Sequence, residues 1–447
     1  MYQIRTENTC ARPKGIGFLL LVLAIGLLGC TPTTPNSNTA PPVSNSNLTA
    51  TNSTSNSNSN STSEASASNV PITLPVVDAL LSDDEFVSEV KKTVQPSDEQ
   101  LDKLKNAARD AVLKLNEDAG SDEYTRSTKS AISEAEKEIK EVLGSENGAK
   151  FLNLARKHWS GGDVAALAKP NEVPADTRIV VNAPAYRMDV FQDGKIVKSY
   201  KVGIGYPEFP LPTGLRTAKK IIFNPAWTPP DEPWVKGKFE PGKKVEAGSK
   251  DNPLGPIKIP IGLPSLIHGG KDPSRLGTFA SHGCVGLTNA LVQDFTAELT
   301  KLSGSPLTSQ QIKAYEQKRS ETSEVNLTNP IPVELRYETI VADDGKLHVY
   351  RDVYEHGTNT EENLERVLQA YGLSTKDLSP DEQTKVREAL KRMAIDAHGQ
   401  PVDEGDSNKK PSNSAKVTKT MKGAKEVVVD VAALKGKGYP APVNINL

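Results

Sequence analysis

The residues able to do chemistry cluster in one short stretch. Leu266-Ile267-His268-Gly269-Gly270 is followed by Ser281-His282-Gly283-Cys284-Val285-Gly286-Leu287, and the 17 residues from His268 to Cys284 hold two of the chain's six histidines. A cysteine nucleophile needs a base or cation to lower its thiol pKa, and a third group to orient that base. His268 ends an apolar run, which predicts a strand end. In an extended chain His282 and Cys284, either side of Gly283, share one face. Gly283 permits close approach of backbone or substrate, and N–H groups near Cys284 offer an oxyanion hole. This reading predicts a thiol activated by a nearby base, with two histidines in reach of that role. Two plainer readings stand beside it. A free cysteine is often a small buried hydrophobe, and His268, His282 and Cys284 plus water would satisfy a catalytic zinc pattern.

The elements around this stretch are legible from periodicity. Residues 71–170 read as a small helical domain. Ser97 and Gln100 have capping-box spacing, followed by Leu101, Leu104, Ala108, Ala111 and Leu115 on one face. Ile132, Ala135, Ile139 and Val142 repeat the pattern up to Gly144, and Phe151, Leu154 and Ala155 begin another helix. His158 reads as a helix-end residue. From Arg178 the period becomes two. Arg178–Val181, Tyr186–Phe191 and Lys195–Val202 read as strands, with an Asp193-Gly194 turn. A second hairpin is expected over Val333–Val341 and Leu347–Val353, around Asp344-Gly345. Residues 203–265 are rich in Pro and Gly and predict long shaped loops on a β scaffold. Residues 303–330 read as a polar, partly helical insertion, 358–398 as a helical segment, and 399–447 as a flexible tail.

The chain has 447 residues, which predicts two or three domains. With 54 basic and 56 acidic side chains the net charge is −2, so no electrostatic pull toward nucleic acid follows. Hydrophobic residues at 36% exclude a multi-span membrane protein. The start does point to a membrane. Arg5, Arg12 and Lys14 precede the apolar run Ile16–Leu28, which is too short to span a bilayer comfortably. It ends in Leu27-Leu28-Gly29-Cys30 and reads as a signal peptide over 1–29. Residues 30–70 then form a disordered tether; 28 of the 39 residues 31–69 are Asn, Ser or Thr. Its reach is on the order of 35 Å. Three cysteines exclude a disulfide framework or a four-cysteine zinc site.

These motifs together resemble the L,D-transpeptidase family and its YkuD-type catalytic domain. The carrying residues are His268-Gly269 and Ser281-His282-Gly283-Cys284. Asn182–Met188, Val202–Gly205, Pro212-Thr213-Gly214, Asn224–Pro230, Asn252–Gly255 and the hairpin Asp343–Asp352 are similar to family segments in the same order. The resemblance spans roughly 176–357. It implies a mainly-β catalytic domain of sandwich or barrel type within a multidomain α+β chain, preceded by the helical domain and followed by the helical segment. It also implies roles. Cys284 is the nucleophile, and His268 is the base, oriented by the Gly269 carbonyl. His282 supports substrate or oxyanion binding, and Ser281 and Gly283 shape the loop. Trp227 and Asn224 belong to substrate-binding loops. One departure stands out: many members carry Arg or Asn two residues after the nucleophile, where this chain has Gly286.

The implied reaction needs no metal or other cofactor. Cys284 attacks a peptidoglycan tetrapeptide donor, D-alanine leaves, and a stem-peptide amine resolves the thioester into a 3→3 cross-link. Water as acceptor would give a carboxypeptidase or cross-link hydrolase, and a protein amine would attach peptidoglycan to protein. A non-catalytic envelope binder is the remaining alternative, with the partner of the helical domain 71–170 unspecified. The Leu-Leu-Gly-Cys run resembles a bacterial lipobox, which implies lipid on Cys30, loss of Cys10, and Cys284 as the single mature thiol. The expected location is the cell envelope facing the periplasm, with the outer membrane favoured where two membranes exist because Thr31 is not Asp.

Overall fold

The computed structural model describes residues 70–443, apart from 114, 117–127, 161–168, 229–241, 263–264, 398, 400, 402–414 and 417. The leader, Cys30 and residues 31–69 lie outside the described residues.

Five helices come first: α1 (Leu74–Leu81), α2 (Asp84–Thr93), α3 (Asp98–Leu113), α4 (Thr128–Leu143) and α5 (Ser145–Trp159). The expected capping box is present. Ser97 Oγ accepts from Gln100 N at 3.1 Å, and Gln100 Oε1 accepts from Ser97 N at 3.0 Å. Leu101, Leu104 and Ala108 of α3 bury against Ala135 and Ile139 of α4 and Phe151 of α5. Phe86 and Phe151 meet edge to face at 5.8 Å. His158 closes α5 and faces Asp83, the N-cap of α2, at 3.2 Å, a helix-end role.

The strands are β1 (Leu115–Asn116), β2 (Arg178–Asn182), β3 (Arg187–Gln192), β4 (Lys195–Lys201), β5 (Ile204–Gly205), β6 (Gly214–Phe223), β7 (Ile257–Pro260), β8 (Leu266–His268), β9 (Phe279–Ser281), β10 (Val285–Gly286), β11 (Ser323–Arg336), β12 (Ile340–Asp343), β13 (Lys346–Tyr350), β14 (Ala415–Lys416) and β15 (Glu426–Asp430). Eight form one mixed sheet in the order β10-β8-β7-β6-β11-β2-β3-β4. Its expected first hairpin turns at Asp193 and Gly194, both with positive φ (48° and 78°), as a type I′ turn requires. The sheet curls. Gly203, just past β4, bridges Gly286 of the opposite edge strand through bonds of 2.9 and 2.8 Å. Gly203 has to be glycine there, because a Cβ would lie 2.5 Å from the Ala280 methyl. Helix α6 (Asn289–Leu302) is capped by Thr288, and its Val292, Phe295 and Leu299 join the core with Val181, Met188, Val190 and Ile267.

Three expectations need correction. Within 303–330 only α7 (Ser309–Gln317) is helical. Residues 323–336 are the long strand β11, central in the sheet and paired antiparallel with β6 and parallel with β2. Pro330 and Pro332 obscured it; the register shifts between Asn326 and Ile331, a bulge beside these two prolines. The second hairpin is β12–β13 and begins at Ile340, since 333–336 belong to β11. Nor is the tail loose throughout. β15 pairs with β13, and Val429, Val431 and Leu434 bury against Leu368 of α8 (Glu361–Ala370) and Leu390 of α9 (Pro380–Met393). Replacing Val429 by Asp puts an unpaired carboxylate into that cluster and should cost at least about 3 kcal/mol. Faster hydrogen exchange of the 346–350 amides is the expected readout; unchanged protection there would refute the assignment.

Candidate active site

The site is built on the pairing of two short strands. β10 runs parallel to β8, with Val285 opposite Ile267 and Gly286 opposite His268. Side chains alternate along a strand, so His268 and position 286 share a face. Cys284 stands one residue before β10, in the bend that leads into it. The turn before β10 is fixed by Ser281. Its hydroxyl donates to the Cys284 carbonyl at 2.6 Å and accepts the Cys284 N–H at 3.0 Å. Gly283 has φ +84°, a left-handed backbone that disfavours any other residue. Its carbonyl accepts from Ser265 Oγ at 2.8 Å. The Cys284 N–H is thus committed inside the turn and is not an oxyanion donor in this arrangement.

His268 is 3% exposed, and its Nδ1 lies 2.7 Å from the Gly269 carbonyl. A carbonyl only accepts, so Nδ1 carries the proton and Nε2 keeps a lone pair. Burial drives the His268 pKa down to about 3; the Lys271 charge lowers it further, against the carbonyls of Gly269 and Leu254. Burial also raises the Cys284 pKa, against the Leu266 N–H and the Lys271 cation. Both shifts favour a neutral imidazole and a thiol over an ion pair, an arrangement in which the free Nε2 of His268 can accept a proton as a general base.

The remaining expected residues divide. The His282 ring sits edge-on to Tyr206 and Phe209, with centroids at 5.1 and 4.5 Å. Among the described residues no three His, Cys, Asp or Glu side chains group as metal ligands, so His268, His282 and Cys284 do not form the zinc trio. Asn224 is 3% exposed, and its amide donates to the carbonyls of Tyr315 and Lys318 at 2.8 and 3.1 Å. It holds the end of α7 and borders a polar cleft of about 540 Å³ lined also by Gly255, Gly270 and Asn289. Trp227 is half-buried and bridges Val245 through its backbone. Sequence reasoning gave no role to Ser265, Lys271 or the Asn289 side chain. Asn289 Oδ1 accepts from Gly270 N at 2.8 Å and so fixes the loop leaving His268. An Asn that opens a helix one residue after a Thr cap was the available signal.

The family model for YkuD, the L,D-transpeptidase catalytic domain, matches residues 176–306. A search of curated proteins found no significant match. Among solved structures the chain is similar to an Enterococcus faecium L,D-transpeptidase (16% identity, 36% of this chain and 50% of that one, TM-score 0.22). It is also similar to an L,D-transpeptidase from Mycobacterium smegmatis (17% identity, 36% and 59%, TM-score 0.22). The matched part thus spans about half the length of these proteins, and TM-scores this low carry no weight.

Two outcomes follow from the neutral pair. Iodoacetamide should alkylate Cys284 more slowly than free cysteine at pH 7, with a rate still rising beyond pH 9; a rate plateau below pH 8 would contradict a raised thiol pKa. Stability should also respond to acid. Between pH 6.5 and about 3 the unfolded His268 binds a proton that the folded one refuses, so stability falls as pH drops. The limiting slope is about 1.4 kcal/mol per pH unit for one group. His268→Gln should flatten the melting temperature against pH over that window, and an unaltered profile would count against a neutral buried imidazole. Residues 176–306, which include His268 at the end of β8 and Cys284 just before β10, match the YkuD-type L,D-transpeptidase catalytic domain.

Proposed function

We propose that this chain is a cysteine L,D-transpeptidase acting on peptidoglycan stem peptides. The observation that carries the reading is His268 at the end of β8, its Nδ1 held by the Gly269 carbonyl, with Cys284 directly before the paired strand β10, inside the family match. As the thiol attacks the carbonyl between the third and fourth residues of a tetrapeptide, its proton passes to His268 Nε2. The C–N bond to the terminal D-alanine then breaks, and the departing amine takes that proton. A thioester on Cys284 remains. The amine of a second stem peptide attacks it, losing a proton to His268, and the thiolate leaves with a proton returned. The product is a 3→3 cross-link. Exclusion of water from the thioester would favour transfer to an amine.

The proposal includes an envelope location, facing the periplasm. The basic, apolar and Leu-Leu-Gly-Cys sequence of the leader supports a lipid on Cys30, and residues 31–69 would tether the folded part away from the membrane. The helical domain is proposed to meet an envelope partner, on the ground that its residues lie outside the family match.

The full chain is incubated with disaccharide tetrapeptide and read by intact mass and product analysis. The expected result is an acyl adduct on Cys284 and a cross-linked dimer, both abolished by Cys284→Ala. Tripeptide without dimer would replace the transferase with an L,D-carboxypeptidase. Neither adduct nor product, with Cys284 unmodified, would refute acyl transfer.

A further inference from the structure

The polar cleft of about 540 Å³ bordered by Asn224 has no part in the mechanism above, and neither Cys284, His268 nor His282 lines it. One wall is a face of α7. Ile312 and Tyr315 of that helix turn inward: Ile312 joins the core, and the Tyr315 ring stacks on Phe223 at 4.6 Å. Lys313, Glu316 and Gln317, at the i, i+3, i+4 spacing of one helix face, are left to the cleft. Asn289 and Gln293, one turn apart on α6, line it from a second side, and the loop from Gly248 to Lys250 from a third. Helix α7 and Arg319 lie beyond the residues matched to the family, so the matched domain does not make this cleft by itself.

The walls are fixed by contacts of their own. Thr308 and Gln311 open α7 with a capping box, and Asn224 holds the carbonyls of its last turn. Gln293 Nε2 donates to Glu316 Oε2 at 2.6 Å and ties α6 to α7. Gly248 has φ +74°, and a Cβ there would lie 2.4 Å from the Arg319 carbonyl oxygen, so the loop presses on the chain leaving α7. A pre-formed concavity of this volume suits a small ligand.

Its chemistry narrows the ligand. Among the described residues lining it, only Pro256 has an apolar side chain, which excludes an apolar occupant. Three cations, Lys250, Lys313 and Arg319, stand against one acid, Glu316. Among the described residues no carboxylate pairs with Lys250 or Arg319. Glu316 Oε1 is buried and has no hydrogen-bond partner among the described residues. Burial raises the Glu316 pKa, against the Gln293 bond and the Lys313 charge. Asn289 spends its Oδ1 on Gly270 N at 2.8 Å, which leaves its two amide N–H donors to a ligand. The cleft therefore offers cations for an acid group, and an acceptor and amide donors for hydroxyls.

We propose that this cleft binds an acidic sugar, a saccharide-sized polyol carrying a carboxylate or a phosphate, with the acid group on Lys313 and Arg319 and the hydroxyls on Glu316 and Asn289. The inference does not rest on the acyl-transfer reading. A neutral sugar leaves the cations without a charge partner, and a bare anion leaves the hydroxyl partners unused. The charged part of the binding weakens as salt is raised.

The test is calorimetric titration of the full chain, with saturation-transfer NMR as the second measurement. Digalacturonate and glucose 6-phosphate are the two acidic sugars, maltose is the neutral one, and inorganic phosphate is the bare anion. At least one acidic sugar should bind about tenfold or more tightly than both maltose and inorganic phosphate. Preference for digalacturonate assigns the acid group as a carboxylate, and preference for glucose 6-phosphate as a phosphate. The double variant Lys313→Met/Arg319→Met should weaken that sugar at least about tenfold. Both side chains are exposed, so the fold should persist, and circular dichroism checks it. No binding of either acidic sugar by both methods, or an unchanged Kd in the double variant, would overturn the site. Maltose binding as tightly as the acids would overturn the acid group, and phosphate binding as tightly would overturn the sugar. Because Cys284 takes no part, these outcomes stand whether or not the acyl-enzyme assay succeeds.

Discussion

The arrangement depends on how closely the backbone packs around β10. This two-residue strand pairs with β8 on one side and meets Gly203 on the other, and the second contact curls an eight-stranded sheet so that its two edges meet. Closure of this kind requires near-contact of main chains. Gly203 has no room for a methyl against Ala280, and Gly205 has none against the Phe209 carbonyl, 2.1 Å from where a Cβ would stand. A side chain at Gly203 would press on Ala280 of β9, and one at Gly205 on the Phe209 carbonyl and the Gly283 N–H just before Cys284. The geometry of the candidate site is thus tied to sheet closure, and that closure rests on a few residues without side chains.

Burial sets the protonation state of the reacting pair. An exposed cysteine–histidine pair can rest as thiolate and imidazolium because water solvates both ions. Here desolvation penalises both charges, lowering the basicity of His268 and the acidity of Cys284. The Gly269 carbonyl then fixes which nitrogen keeps the proton. A resting thiol is also slower to be oxidised than a thiolate.

What the sequence revealed was what is encoded locally. Asp-Gly turns, the Ser97 capping box and the 3,4 spacing of helix faces act within a few residues, so each was visible. His268 and Cys284 were visible because both sit in short motifs with glycine beside them. Features that depend on distant partners were not. β11 is long and central, yet its prolines and polar half read as an insertion, since only the bulge against β6 reconciles them with a strand. Val427–Val429 form a strand because β13 is there to receive them, amid a lysine-rich stretch that suggested looseness. Residue types alone suggest activation of Cys284, whereas desolvation, which depends on the surrounding fold, acts to raise its pKa.

The folding unit is larger than the matched stretch 176–306. β11 begins after that stretch ends and still occupies the middle of the sheet, bonded to β6 and β2 on either side. The loop from Tyr206 to Leu211, which places two rings on His282, is held from outside as well. Thr73 Oγ1 of the helical part donates to the Glu208 carbonyl at 3.1 Å, and the buried Glu208 carboxylate accepts from Thr418 N and Oγ1 at 3.2 and 2.7 Å. Tyr354 completes the brace by donating to the Gly205 carbonyl at 2.9 Å and accepting the Leu211 N–H at 3.2 Å. A carboxylate buried at that point is costly unless its donors are present. Removal of the residues around Thr418 would leave it without them. An isolated 176–306 fragment would therefore lack a central strand and three of the contacts that hold the loop from Tyr206 to Leu211 in place.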